Sequence, residues 1–225
     1  MRTGLTRRTG SERGPAAGGT IAQPGRPAYH AAMKICVFCS SSDAVDGAYR
    51  SAAAELGALI GAGGHTMVYG GGRVGLMGVA ALAARENGAR VIGIIPEFMN
   101  RPGVPNRDCD ELVFTKDMRE RKARMMEMSD AFVALPGGFG TLEELSEVIT
   151  QKQFDFLKGP LVAVNTDGFY DHLAAFFERF YENRFAKPAF RATCPFVSDP
   201  AAAMRYIREY TPPASTSKWF TTRGP

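Results

Sequence analysis

The chain of 225 residues is short of several things. No stretch approaches the ~18 consecutive apolar residues that carry a helix across a bilayer, so no helical membrane span is predicted. Histidine is scarce: His30, His65 and His172 stand apart, and no His/Cys/carboxylate group has metal-ligand spacing, so no metal site is expected. The four cysteines are Cys36, Cys39, Cys109 and Cys194, and nothing nearby directs secretion, so a disulfide framework is not expected. Cys36 and Cys39 have the spacing of a redox or metal pair. They lie in an apolar run that reads as a strand, where positions three apart point to opposite faces, and buried structural thiols are predicted. The pattern G-x-x-x-x-G-K-[ST] is missing, which excludes Walker-type ATP hydrolysis.

Positive charge is also scarcer than the net value of +4 suggests. Of 27 Lys and Arg and 23 Asp and Glu, five arginines and one acid (Glu12) lie in residues 1–32, which leaves the rest of the chain balanced. With no basic stripe on the body, no nucleic-acid partner is expected. Residues 1–32 are rich in Gly, Pro, Arg and Ala and are expected to be a disordered extension. They lack the apolar stretch of a secretory signal and the amphipathic face of a transit peptide, so a cytoplasmic location is expected, with no membrane partner. Residues 211–225 are expected to form an irregular tail. Between them, residues 33–210 have the length of one domain.

Within that domain short β-branched runs alternate with longer Ala-rich stretches. Strands are predicted over Lys34–Cys39, Thr66–Tyr69, Arg90–Ile95, Glu111–Thr115, Ala131–Leu135, Leu161–Asn165 and Pro195–Val197. Helices are predicted over Tyr49–Gly61, Leu76–Asn87, Met118–Ser129, Leu142–Phe154, Phe169–Asn183 and Pro200–Tyr210. Near-continuous apolar strands between helices mean an α/β fold: a doubly wound, Rossmann-like parallel sheet with helices on both faces. Ligands in such sheets bind at the carboxyl ends of the strands, which directs attention to Ser40–Ser42, Gly70–Gly75, Pro96–Asp110 and Pro136–Thr141. Phe169, Phe176, Phe177, Phe180 and Tyr181 form a stripe at near-helical spacing, expected to be core or in part a dimer interface.

Two glycine loops join a strand to a helix. The first, Tyr69-Gly-Gly-Gly-Arg-Val-Gly-Leu-Met-Gly78, offers Gly71, Gly72 and Gly75 as anion contacts, or is simply a tight turn. The second is Pro136-Gly-Gly-Phe-Gly-Thr-Leu-Glu-Glu144. Gly137, Gly138 and Gly140 expose backbone donors and Thr141 can cap the helix, which makes a phosphate cradle without a P-loop lysine. Glu143 and Glu144 are placed in the first helical turn. Between the loops, Arg119, Arg121, Lys122 and Arg124 crowd the start of a helix that follows a strand.

The nine residues Pro136–Glu144 match PGGxGTxxE. With Met118-x-x-Arg121-Lys122 and the GGGxxGLMG of Gly70–Gly78, the chain resembles the LONELY GUY family of cytokinin-activating phosphoribohydrolases over about residues 33–210. The resemblance implies a Rossmann-like homodimer, with no cofactor, that hydrolyses the N-glycosidic bond of N6-modified adenosine 5′-monophosphates or AMP. It puts the catalytic pair on Arg121 and Glu144. Lys122, the loop Gly138, Phe139, Gly140, Thr141, Leu142 and Glu143, and Thr150 fall on nucleotide-contacting positions. Independently of the resemblance, the strand-end loops offer Ser40 and Gly137 as further substrate contacts. Plant members carry a substrate-contacting glutamate before the Arg-Lys motif. Here that loop reads Pro102-Gly-Val-Pro-Asn-Arg107, with Glu97 and Asp108 as the nearby acids. The alternative is a non-hydrolytic nucleotide-binding or carrier protein on the same fold.

Overall fold

The protein is described by a computed structural model over residues 32–220. The extension expected at residues 1–32 lies, apart from Ala32, outside the described residues, as do residues 221–225 of the expected tail. The described part of that tail, residues 211–220, contains no helix or strand.

The strands are β1 (Lys34–Phe38), β2 (Thr66–Tyr69), β3 (Arg90–Pro96), β4 (Glu111–Thr115), β5 (Ala131–Ala134), β6 (Leu161–Val164) and β7 (Phe196–Val197). They form one sheet in the order β4-β3-β2-β1-β5-β6-β7, with every neighbouring pair parallel. The helices are α1 (Gly47–Ala62), α2 (Gly75–Glu86), α3 (Met118–Glu127), α4 (Phe139–Gln153), α5 (Asp171–Glu182) and α6 (Pro200–Glu209). The doubly wound reading therefore holds. The chain runs outward from β1 through β2 to β4, then crosses back to β5 on the other side of β1, so the topological switch lies between β1 and β5.

Alternation along β1 divides the core. Ile35, Val37 and Cys39 face Leu56, Ile60, Leu76, Ala80 and Ile207 of α1, α2 and α6. Cys36 and Phe38 face Met125, Leu145 and Val148 of α3 and α4. The two cysteines thus lie in different layers, each buried, as the strand period requires.

Helix α5 departs from expectation. Its aromatic stripe is not core: no residue of α5 is buried, and Phe176 is 56% exposed. The physical cause is its place at the sheet edge, where it crosses to a strand of two residues and has little sheet to cover.

Helices α1 and α2 meet backbone to backbone. A Cβ on Gly57 would lie 2.2 Å from the Ala80 carbonyl oxygen. Intrinsic propensity alone would make Gly57→Ala stabilising by about 1 kcal/mol. The contact reverses the sign, and the substitution is expected to destabilise by about 1–3 kcal/mol in a chemical denaturation experiment.

Candidate active site

Helix α3 begins at an N-cap, Asp117, whose carboxylate accepts from Glu120 N at 2.9 Å, while the Glu120 carboxylate accepts from Lys116 N. This reciprocal cap fixes the first turn and turns Arg121 inward. Arg121 is 6% exposed. Its Nε donates to the Ile94 carbonyl at 3.0 Å, its Nη2 to the Gly70 carbonyl at 3.0 Å, and its Nη1 reaches Glu144 Oε1 at 3.5 Å. The guanidinium therefore ties β3, the end of β2 and α4 together. Gly70 makes room for it: a Cβ there would lie 1.8 Å from Nη2.

Glu144 is likewise 6% exposed. Burial pushes its carboxyl up to about 7; Arg121 and Lys122 pull it down, while Glu143 and Glu147 push it further up. A buried carboxyl raised toward neutrality beside a specific charged partner marks a candidate working site.

The cradle differs from expectation in register. Helix α4 starts at Phe139, three residues earlier than the predicted Leu142, because Gly138 takes the N-cap position in extended conformation. Glu143 and Glu144 consequently lie in the second turn, and the first turn carries no acid. No side chain caps the helix. Thr141 does not act as the cap; it is buried, and its Oγ1 occupies the space a Cβ on Gly137 would need, 2.2 Å away. The opening N–H groups, from Phe139 through Thr141, precede the first intrahelical bond, from Leu142 N to Gly138 O, and N–H groups so placed are able to bind an anion. Ser40 N donates to Pro136 O at 3.3 Å, which joins the ends of β1 and β5 beside the cradle at the switch point.

The first glycine loop is engaged otherwise. Asp43 Oδ1 accepts from Gly75 N at 2.9 Å, so the start of α2 already holds a carboxylate of its own chain. Gly71 O accepts from Asn106 N, and Gly72 pairs with Pro105. These glycines pack the loop against residues 104–106. Glu97 and Asp108 are both exposed on that side of the molecule.

Lys122, on α3, places its Nζ 2.7 Å from Glu143 Oε1 and 2.8 Å from Glu147 Oε2. Burial lowers the Lys122 ammonium's proton affinity, but its bonds to the two glutamates outweigh this and hold it above its ordinary value. Thr150 is exposed, donates to Ser146 O at 2.9 Å and lines a cavity of about 360 Å³ between α4 and α5, together with Phe177 and Phe180. It is thus not brought to Glu144.

Residues 77–207 match the family described as possible lysine decarboxylase. A probable cytokinin riboside 5′-monophosphate phosphoribohydrolase of Oryza sativa subsp. japonica is 42% identical over 181 residues, covering 80% of this chain and 85% of that protein. A cytokinin riboside 5′-monophosphate phosphoribohydrolase of Arabidopsis thaliana is 41% identical over 181 residues, covering 80% and 83%. The chain belongs to the LONELY GUY family.

Among solved structures, the LONELY GUY chain shares its fold with the molybdenum cofactor carrier protein of Chlamydomonas reinhardtii, at a TM-score of 0.62 and 22% identity over 80% of this chain and 98% of that one. The molybdenum cofactor binding protein of Rippkaea orientalis is similar at a TM-score of 0.62 and 21% identity, covering 79% and 96%. The motif pair that marks the LONELY GUY family is the pair brought together here: Arg121-Lys122 on α3 meets Glu143-Glu144 on α4. Sequence reasoning missed Glu147, although its place four residues after Glu143 puts both acids on one helix face. It also missed Asp43 and Lys152. Burial drops the Lys152 ammonium to about 8, and it binds the Gly159 carbonyl and the Tyr210 hydroxyl, which latches α4 to the end of α6.

The raised Glu144 carboxyl has a stability consequence. Between its ordinary value of 4.5 and about 7 the folded protein holds a proton that the unfolded chain has lost. Stability from this group therefore falls as pH rises through that interval. Glu144→Gln, which cannot ionise, is expected to unfold at higher temperature than the wild type at pH 8, by the equivalent of up to about 3 kcal/mol. The gap should close at pH 5. Thermal unfolding at the two pH values measures it.

Proposed function

We infer that this protein hydrolyses the N-glycosidic bond of adenosine 5′-monophosphates, N6-modified or plain, releasing the free base and ribose 5-phosphate. The relatives' activity supports the reaction class. The observation that carries the site is a buried carboxyl poised near neutrality, braced by Arg121 and set one turn from an uncapped helix start.

The phosphate docks on the backbone N–H groups at the start of α4, with Lys122 beside it. As the C1′–N9 bond breaks, positive charge builds on the sugar and negative charge on the purine. The Glu144 carboxylate stabilises the oxocarbenium-like sugar and takes a proton from the attacking water. The hydroxyl adds to C1′, and the proton ends on the departing base. Arg121 cannot serve as a base, since its guanidinium stays protonated. Its two carbonyl bonds leave it the task of holding Glu144 in place.

Base release from AMP and from isopentenyladenosine monophosphate, followed by chromatography, tests the reaction. Glu144→Ala is expected to lower kcat by ~10²–10⁴-fold. Turnover near the wild-type value would overturn the assignment, and nucleotide binding without base release by the wild type would favour the carrier reading. The working form of Glu144 is the carboxylate, so kcat should rise with pH through about 7 and level off above it.

We propose further that the protein is a homodimer in which a second copy covers the aromatic face of α5. Phe176 on α5 and Phe185 just past it stand 56% and 83% exposed, Phe185 lining the cavity that Thr150 also lines, and exposed aromatics of this kind mark interfaces. Thr150 would then sit at the interface. Light scattering should give twice the chain mass, and Phe176→Glu should give the monomer.

A further inference from the structure

Lys122 is held by two carboxylates of unequal standing. Glu143 has a side chain 59% exposed, whereas that of Glu147 is 32% exposed and that of Lys122 itself only 14%. Glu147 Oε2 is closed off from solvent and has no aligned hydrogen-bond donor among the described residues, so its ion contact with Lys122 at 2.8 Å is what balances it. Withdrawing the ammonium from Glu147 would leave Oε2, the closed-off oxygen of a half-buried carboxylate, unanswered, which costs more than exposing the same charge to water. Withdrawing it from Glu143 costs little, because water replaces it around an exposed carboxylate. The contact with Glu143 is therefore exchanged more readily than the contact with Glu147.

The more exchangeable contact lies nearer the cradle along α4. Glu143 is the nearer of the two acids to the α4 start, and Glu147 lies one turn farther along the same face. A phosphate monoester near pH 7 carries more charge than a carboxylate and presents three acceptor oxygens. It is the stronger competitor for the ammonium.

We propose that Glu147 is a positioning residue that anchors Lys122 at the mouth of the cradle, while Glu143 occupies the substrate phosphate's place on Lys122 and yields it when the nucleotide arrives. This rests on reading the α4 start as the phosphate site. Glu143 and Glu147 then do opposite things with the same charge. Glu143 competes with the substrate; Glu147 keeps the cation where the substrate needs it.

The test is the affinity of the purified protein for ribose 5-phosphate, read by calorimetry, which requires no turnover. Glu143→Gln removes the competitor and is expected to tighten binding several-fold. Glu147→Ala lets Lys122 collapse onto Glu143 and is expected to weaken binding roughly tenfold. Glu147→Gln, which can still accept from the ammonium, should recover most of that loss, and the double variant Glu143→Gln with Glu147→Ala should bind better than Glu147→Ala alone. Glu147→Asp keeps the charge, draws it back by one methylene, and is also expected to weaken binding. Simple repulsion of phosphate by two acids predicts otherwise: Glu147→Ala would tighten binding as Glu143→Gln does, and Glu147→Asp would leave it unchanged. Either result overturns the proposal. If the wild type does not bind ribose 5-phosphate at all, the phosphate-site reading itself falls, and the proposal with it.

Discussion

A buried guanidinium is tolerated only when its donors are answered, and the fold supplies Arg121 with three answers from three elements. The Ile94 and Gly70 carbonyls lie at the carboxyl edge of neighbouring strands, and Glu144 comes from the far side of the switch point. The bare backbone at Gly70, the cap on α3 and the start of α4 at Gly138 all serve this meeting. Removing any one would leave part of a guanidinium in a low-dielectric interior unanswered, so Arg121 specifies the geometry of the site more than it adds to stability.

The bracing is incomplete by design of charge. Three carboxylates of α4 (Glu143, Glu144 and Glu147) face two cations of α3. At 3.5 Å, Arg121 pulls on Glu144 without neutralising the effect of burial, and the neighbouring acids push the other way. The outcome is a carboxyl that is half ionised near neutral pH. Such a group can hold a proton, give it up, and answer positive charge on a sugar. It also stands in a state that costs folding stability where it is most active, the usual relation between a site and its scaffold.

Helix α4 carries two surfaces. Its inner face holds Thr141, Glu144, Leu145 and Val148 against the sheet, and its outer face lines the cavity shared with α5. The sheet is thick with helices near β1 and thin at β7. An edge helix rich in phenylalanine on so small a strand covers only part of its aromatic face with its own chain: Phe177 meets Phe196, while Phe176 stays 56% exposed.

Local rules made most of the fold legible. Apolar runs of four to seven residues can only be buried parallel strands when helices separate them, and the alternation of Cys36 and Cys39 follows from the pleat alone. The pairing of Arg121-Lys122 with Glu143-Glu144 was readable only through the family resemblance, since 23 residues separate Arg121 from Glu144. What the chain order could not decide was set by cap geometry and by long-range contact. Gly138 capping α4 moved the helix start and with it the turn that Glu144 occupies. Asp43, 32 residues away, filled the start of α2. The aromatic stripe of α5 had a core pattern but was only half-buried, since its burial depends on how wide the sheet is beneath it. Periodicity tells which face of an element is apolar; only the packed tertiary structure determines what stands opposite that face, and therefore which charges meet and which carboxyl is driven to titrate near neutrality.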